Sequence, residues 1–362
     1  MGKFSRKKEV VQKNIWDYNY VLNGQAGIGK TTSYLELFTK LLGLDGNCLI
    51  NVGKEPYPSH TAHFWILKAP TFEDLLDIVN EFYDNHDDYQ DLKMVAFDSI
   101  DEVYRLAEEY VVEKYNEEQT RKGKYDETVN SISQAYGGFQ RGEKKVISLV
   151  VDELFKLNDV GIHLFFIGHT KQKNKKDLMN DIEYEMVTSN LDNQYFTAIK
   201  DKVNIVGCAY YEREMSNIKD VKDAFTGKQK KIGRIAEEKR VISFRDEEHV
   251  IDVKSHLEFI EPKCDFEVDT IIKVLNDAIE KQVHKYDVWV QENVEQATIE
   301  PQEIIIEEAE ESKLTREEML QEIQDNGSNI DQNKLLKIVT KYGIDNLNDA
   351  PLEAIEKIHA LI

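Results

Sequence analysis

The chain has 362 residues, 41% hydrophobic and 31% charged, which is enough apolar material for one large domain and a smaller one. No apolar run approaches the roughly 18 residues that cross a bilayer, and three widely spaced cysteines form neither a disulfide nor a zinc pattern. The net charge is −22, but −14 of it falls in residues 261–362, which leaves room for phosphate-binding basic loops earlier in the chain. We therefore expect a cytoplasmic protein that does not bind membranes.

Apolar runs alternate with amphipathic segments from residue 15 to residue 265. This alternation predicts an α/β domain whose mainly parallel sheet is flanked by helices. Residues 122–142 are polar and contain glycines, so an exposed insertion is predicted there. The predicted strands cover residues 18–22, 48–52, 65–67, 94–97, 162–167, 203–208 and 240–244. The predicted organisation is a basic arm (1–14), the α/β core (15–265), a helix on or beyond the core (266–296), an acidic linker (297–314) and a small helical module (315–362).

The first predicted strand leads into residues 24–31, which match the phosphate-loop pattern G-x-x-x-x-G-K-[ST]. Its glycines let backbone N–H groups close around phosphate oxygens, while Lys30 reaches the β- and γ-phosphates and the Thr31 hydroxyl ligates Mg²⁺. The helix that begins here directs its N-terminal dipole at the same point. The predicted nucleotide-binding residues are Gly24, Gln25, Ala26, Gly27, Ile28, Gly29, Lys30, Thr31 and Thr32.

Polar residues at the ends of later predicted strands supply candidates for catalysis. Asp98 follows a buried strand and is predicted to hold Mg²⁺ through water beside Thr31, although an N-cap of the next helix is an alternative. Hydrolysis also needs a group that orients the attacking water, and Glu55 and Glu102 are both candidates. His169 ends the strand 162–167 and is predicted to contact the γ-phosphate or the water.

Together these elements resemble the RecA-like core of the AAA-type phage ATPases, which include the Sak-type single-strand annealing and recombination proteins. The resemblance covers roughly residues 16–265 and rests on residues 24–32, 97–99, 135–139 and 168–171 and on the strands around 203–207 and 241–244. It implies an ATP- and Mg²⁺-dependent ATPase that binds single-stranded DNA, forms rings or filaments and anneals or exchanges strands in a bacterial host. A single-strand-binding protein is a further partner that it suggests.

One departure concerns the strand after the phosphate loop, which in RecA-like proteins ends in an acidic pair. Here residues 50–53 read Ile-Asn-Val-Gly, so the resemblance does not identify the catalytic base, and slow hydrolysis is expected. The same resemblance implies that a cation from a neighbouring subunit completes each site. The candidates on the last strands are Arg234, Lys239, Arg240, Arg245 and Lys254.

The resemblance also implies that the loop after His169 contacts DNA. Lysines would bind phosphates and aromatic rings would stack on bases, although interleaved acids dilute the charge and a solvated loop is the alternative. The predicted DNA-contacting residues are Lys171, Lys173, Lys175, Lys176, Tyr184, Tyr195 and Phe196. A second functional hypothesis is a nucleotide-dependent switch or helicase loader that binds a protein through residues 315–362.

Overall fold

The computed structural model describes residues 12–54, 63–177, 181–222, 229–246, 250–290, 314–326 and 330–361. Contacts divide the chain into two compact units, Met1–Val288 and Trp289–Ile362. None of the described helices is long and apolar enough to cross a membrane. The strands are β1 (Tyr20–Gly24), β2 (Asn47–Val52), β3 (Ile66–Ala69), β4 (Met94–Asp98), β5 (His163–Asp177), β6 (Ile182–Ser189), β7 (Ile205–Lys222), β8 (Gln229–Ser243), β9 (Lys254–Ser255) and β10 (Lys263–Asp265). The helices of the first unit are α1 (Lys30–Leu42), α2 (Phe72–Asp84), α3 (Ile100–Arg121), α4 (Arg141–Phe155), α5 (Asn193–Lys202) and α6 (Val268–Val290).

The predicted α/β fold with a mainly parallel sheet is confirmed. The strand order is β10-β8-β7-β1-β5-β4-β2-β3, and every pair from β7 to β3 is parallel. Strand β8 pairs antiparallel with β7 and with β10. Because β5 lies between β1 and β4, the carboxyl ends of β1 and β4 lie beside Ile167 and His169 of β5, at one edge of the parallel sheet.

Two apolar clusters cover the two faces of this sheet. Because side chains alternate between the two faces along β5, Phe165 packs in the cluster with α1 and α6, and Phe166 packs in the cluster with α2–α5. Strand β4 is buried along its whole length, which explains its unbroken apolar sequence. Phe166 is fully buried and stacks on Phe97, so truncation to alanine is expected to cost about 3–5 kcal/mol.

Two antiparallel pairs extend beyond the parallel sheet. Strand β5 continues past His169 to Asp177 and pairs with β6, and we call this pair the β5–β6 hairpin. Residues Cys208–Lys222 of β7 pair with Gln229–Ser243 of β8, and we call this pair the β7–β8 ribbon. The prediction of a loop after His169 is therefore wrong, because the lysine-rich segment is a strand. Residues 182, 184 and 187 are of types that favour strands, and they belong to its partner strand β6.

The segment predicted to be an exposed insertion is partly packed. A 3₁₀ helix spans Ile132–Gly137, in which Ile132 and Ala135 are buried. The Tyr136 ring packs edge-on against Tyr115, with centroids 4.8 Å apart, and the Lys145 ammonium lies 4.4 Å from its centre. Isolated apolar residues among polar ones gave no periodic pattern, so the sequence did not reveal this packing.

The second unit contains α7 (Arg316–Asn326), α8 (Gln332–Tyr342) and α9 (Leu352–His359). A small apolar cluster of its own includes Met319, Ile323, Ile355 and Ile358. Asp331 caps α8 by accepting hydrogen bonds from the first backbone N–H groups of the helix. Leu336 on α8 and Leu352 at the start of α9 remain 66% and 49% exposed.

Candidate nucleotide-binding and hydrolysis site

The loop between β1 and α1 has the backbone that a phosphate site requires. Gly27 and Gly29 adopt φ angles of +76° and +105°, a region that favours glycine. Within the described residues, side chains Thr71 and Ser99 cap α2 and α3, but none caps α1. The first N–H groups of a helix lack helical acceptors and lie at the positive end of its dipole. The start of α1 therefore offers these donors to an anion.

Lys30 is buried and lies across the loop. Its ammonium donates to the carbonyl oxygens of Gly24 and Gln25, both at 2.9 Å. A Cβ at Gly24 would lie 2.8 Å from the Ala209 carbonyl oxygen, whereas a Cβ at Gly27 would have no atom within 4 Å. The loop is thus tight against β7 at its start and open in its middle, where phosphate oxygens fit.

Thr31 and Asp98 meet across this site. The Thr31 hydroxyl donates to Asp98 Oδ2 at 2.6 Å. Ser99, and not Asp98, caps α3 by accepting the Glu102 N–H. The described part of the chain contains no group of three or more metal-binding side chains. A hydroxyl and one carboxylate suit Mg²⁺, which usually takes its remaining ligands from water and phosphates.

His169 is held at the same edge of the sheet by Asp101. Its register partner is Gly24, at the start of the phosphate loop. Asp101 Oδ2 lies 3.0 Å from His169 Nδ1 and accepts the His169 backbone N–H at 3.1 Å. Because a carboxylate only accepts hydrogen bonds, Nδ1 carries the proton. Asp101, the residue that orients the imidazole, is not among the residues that the sequence singles out.

Of the two carboxylates predicted to orient water, the structure describes only Glu102. Glu55 lies outside the described residues. The Glu102 carboxylate forms a bidentate pair with Arg105, whose Nε donates to Oε1 at 3.0 Å and whose Nη2 donates to Oε2 at 2.7 Å, and it packs against Gly53. Arginine binds carboxylates strongly in this geometry, so Glu102 is held by its own helix.

Asn51 is the polar residue that sequence reasoning missed. It pairs directly with Asp98 in the β2–β4 register and is only 4% exposed. Residues directly opposite each other in a sheet share a face, so Asn51 and Asp98 lie on the same side. The available signal was an amide between Ile50 and Val52, on a strand that is buried along its length and has only one other polar residue, Asn47 at its start.

The family model of the AAA domain, AAA_24, matches residues 17–256. The chain belongs to this AAA domain family. Its members are P-loop ATPases that typically use ATP and Mg²⁺, and the loop, Thr31 and Asp98 fit that chemistry. No curated protein matches the chain significantly. The match includes the β5–β6 hairpin and the β7–β8 ribbon, whereas α6 and the second unit lie outside it.

Arg240 of the AAA domain contacts the phosphate loop of its own chain. Its Nη1 donates to the Ile28 carbonyl oxygen at 3.4 Å. Other cations considered for a neighbouring subunit also have partners in this chain: Arg245 donates to the Leu257 carbonyl at 2.7 Å, and Lys239 pairs with Glu237 at 3.1 Å. Lys254 donates to two backbone carbonyls, and burial lowers the pKa of its ammonium. Among the cations considered for a neighbouring subunit, Arg240 is thus one that contacts the phosphate loop of its own chain.

The β5–β6 hairpin sorts its charges by face. Alternation places Lys171, Lys173 and Lys175 on one face, where Tyr184 stands directly opposite Lys175. Lys176 lies on the other face and pairs with Asp181 at 2.5 Å. Of the four acids interleaved with the lysines in sequence, at 177, 181, 183 and 185, those at 183 and 185 also lie on that other face.

Two of the predicted DNA-contacting residues are corrected. Tyr195 and Phe196 belong to α5 and are 4% and 5% exposed. The Tyr195 ring stacks on Tyr104 with centroids 4.5 Å apart, and its hydroxyl donates to Glu108 at 2.5 Å. Neither ring has a face open to a base, because both residues lie on the side of α5 that packs into the core, away from the lysines.

Proposed function

We propose that this AAA domain binds and hydrolyses ATP with Mg²⁺ and acts on single-stranded DNA as a homo-oligomer, in phage recombination by annealing or strand exchange. The observation that carries the proposal is the path of β5. This strand contributes His169 to the candidate nucleotide site and then continues as the first strand of the β5–β6 hairpin, which carries the lysine face. One strand thereby connects the candidate ATP site to a surface suited to nucleic acid.

The side chains divide the work of hydrolysis among them. Lys30 exchanges its two carbonyl partners for phosphate oxygens, while Thr31 and Asp98 hold the cation. Bound Mg²⁺ would neutralise charge on the transferring phosphoryl group. Asn51, beside Asp98, orients the attacking water through its amide, and an amide takes no proton. His169, fixed by Asp101, contacts the γ-phosphate.

The hairpin supports the assignment of a nucleic-acid substrate. Three lysines on one face offer phosphate contacts, and Tyr184 offers a ring for stacking. Lys171 and Lys173 are positioned by the carbonyl oxygens of residues 190 and 191 and by the Asn193 side chain. If all three lysines bind phosphates, log affinity falls with log salt with a slope of about −2.

The deciding experiment measures ATP turnover with and without single-stranded DNA for wild type, Lys30→Ala and Lys144→Ala. We expect DNA to raise the wild-type rate and Lys30→Ala to abolish turnover. The control Lys144→Ala removes an exposed lysine of α4 and should behave as wild type. A wild-type rate indifferent to DNA, together with no DNA binding at low salt, would refute the proposal.

The second candidate function is a nucleotide-dependent switch or helicase loader that binds a protein through residues 315–362. It is favoured by the separate second unit, whose α8 and α9 expose Leu336 and Leu352. Truncation after Glu300 distinguishes the two functions. Loss of partner binding with intact DNA binding supports a docking role for the second unit, and loss of DNA binding contradicts it.

A further inference from the structure

A cleft of about 330 Å³ opens between the β5–β6 hairpin and the β7–β8 ribbon, next to the phosphate loop. We propose that this cleft binds one unpaired base of single-stranded DNA, an inference that rests on the proposed function. Its volume falls at the small end of ligand sites, which span roughly 300–1,000 Å³. Its walls include Gln25, Gln172, Glu185, Met186, Tyr210 and Tyr211.

The ribbon contributes the partly exposed ring of Tyr210 to this cleft. Strand alternation places Tyr210 on the face of Thr170 and Gln172, and Tyr211 on the other face, where it packs with the apolar cluster of α1 and α6. Tyr210 shares a hydrogen bond of 3.3 Å with the Ser243 hydroxyl, which restrains the ring before any ligand arrives, so less conformational entropy is lost on stacking. Val187 of the hairpin, which stands opposite Gln172, adds apolar surface. The cleft thus offers the flat apolar contact that a nucleobase requires.

The hairpin and the phosphate loop contribute polar groups. The amides of Gln25 and Gln172 donate and accept hydrogen bonds, and the Glu185 carboxylate accepts them from an exocyclic amino group. Base pairing occupies these edges in duplex DNA, so the cleft selects an unpaired base. The hairpin lysines at 171, 173 and 175 occupy the opposite face, so the affinity added here depends on stacking and base edges rather than on charge.

Gln25 also links the cleft to nucleotide binding. Its carbonyl accepts the Lys30 ammonium at 2.9 Å, and the proposed function has Lys30 leave for phosphate when ATP binds. The wall that Gln25 forms therefore changes with nucleotide. By linkage, a base in the cleft alters nucleotide affinity by the same factor.

The test compares wild type, Tyr210→Ala, Tyr210→Phe and Tyr286→Ala, an exposed tyrosine of α6 outside the cleft. Fluorescence anisotropy measures affinity for a labelled single-stranded oligonucleotide and for an abasic copy of equal length. We expect Tyr210→Ala to bind the intact strand about 5- to 150-fold more weakly, while the other two variants match wild type. Abasic DNA should weaken wild-type binding but cause no further loss in Tyr210→Ala.

Binding of a fluorescent ATP analogue is measured in parallel and shows that each variant is folded. Intact binding of the normal strand by Tyr210→Ala overturns the cleft assignment and leaves the proposed function standing. A loss of ATP-analogue affinity without a loss of DNA affinity also overturns it, because the cleft would then hold the base of the nucleotide itself. Failure of wild type to bind any single-stranded DNA refutes the proposed function as well.

Discussion

Replacing Gly24 or Gly27 with alanine adds one methyl group to the same phosphate loop but in very different surroundings. At Gly24 the new Cβ would lie 2.8 Å from the Ala209 carbonyl oxygen and 3.3 Å from Lys30 Cδ. The backbone of β7 has to shift, because a carbonyl oxygen cannot rotate away as a flexible side chain does. At Gly27 there is open space, and the cost arises from its φ of +76°.

The two costs can be estimated separately. Overpacking at Gly24 costs about 1–3 kcal/mol, and a left-handed alanine at Gly27 costs about 1–2 kcal/mol. In a domain of this size, 1 kcal/mol lowers Tm by about 2–4 °C. The Gly27 methyl group, however, also enters the space that phosphate oxygens would occupy, so we expect ATP affinity to fall by at least about tenfold, or 1.4 kcal/mol.

Thermal unfolding with and without saturating Mg-ATP separates the effects. At about 100 times Kd, ligand stabilises the wild type by about 2.7 kcal/mol, which raises Tm by about 5–11 °C. Gly24→Ala should lower the ligand-free Tm and keep most of this rise, whereas Gly27→Ala should lose most of it. A full ATP-induced rise in Gly27→Ala would show that phosphate does not occupy the open middle of the loop.

Three further expectations concern single side chains. Asn51→Ala should lower the ATPase kcat about 100-fold or more with little change in nucleotide affinity. Asn51→Asp should add an acidic limb to the dependence of kcat on pH. If the pH dependence of Asn51→Asp matches that of wild type, Asn51 does not orient the water. Arg240→Ala should raise the KM for ATP, because the guanidinium contacts the phosphate loop; an unchanged KM would confine Arg240 to structure. Burial raises the thiol pKa of Cys208 to about 12, that of Cys264 to about 11 and that of Cys48 further. A thiol reagent should therefore modify half-buried Cys264 first and the other two only on unfolding, and simultaneous labelling of all three would contradict their burial.

The parallel core could be predicted because each of its strands carries a local signal. Strand β4 is a short apolar run that ends in Asp98, and the phosphate loop has fixed spacing, so both could be located without knowledge of neighbouring strands. The importance of Asn51 depends instead on its register with Asp98, which joins residues 47 positions apart. Nothing local in β2 indicates which strand lies beside it.

The hairpin and ribbon were missed for a different reason. Strand prediction relied on burial, and apolar character ends near Gly168 although β5 continues to Asp177. Beyond that point the strand exposes one residue in two, and backbone pairing with β6 holds it in place. Tyr195 illustrates the opposite error, because nearness in sequence to the lysines did not reveal that α5 packs it against Tyr104.

The continuity of β5 through His169 has a mechanical consequence. Eight residue-to-residue steps lead from His169 to Asp177 at the end of the strand, and at about 3.3 Å per step they span roughly 26 Å. A rotation of only about 5° at His169 would displace the far end by about 2 Å, given that rise per residue. Movements at the candidate nucleotide site that are too small to break a hydrogen bond would therefore be amplified along β5 into atomic-scale displacements at Asp177.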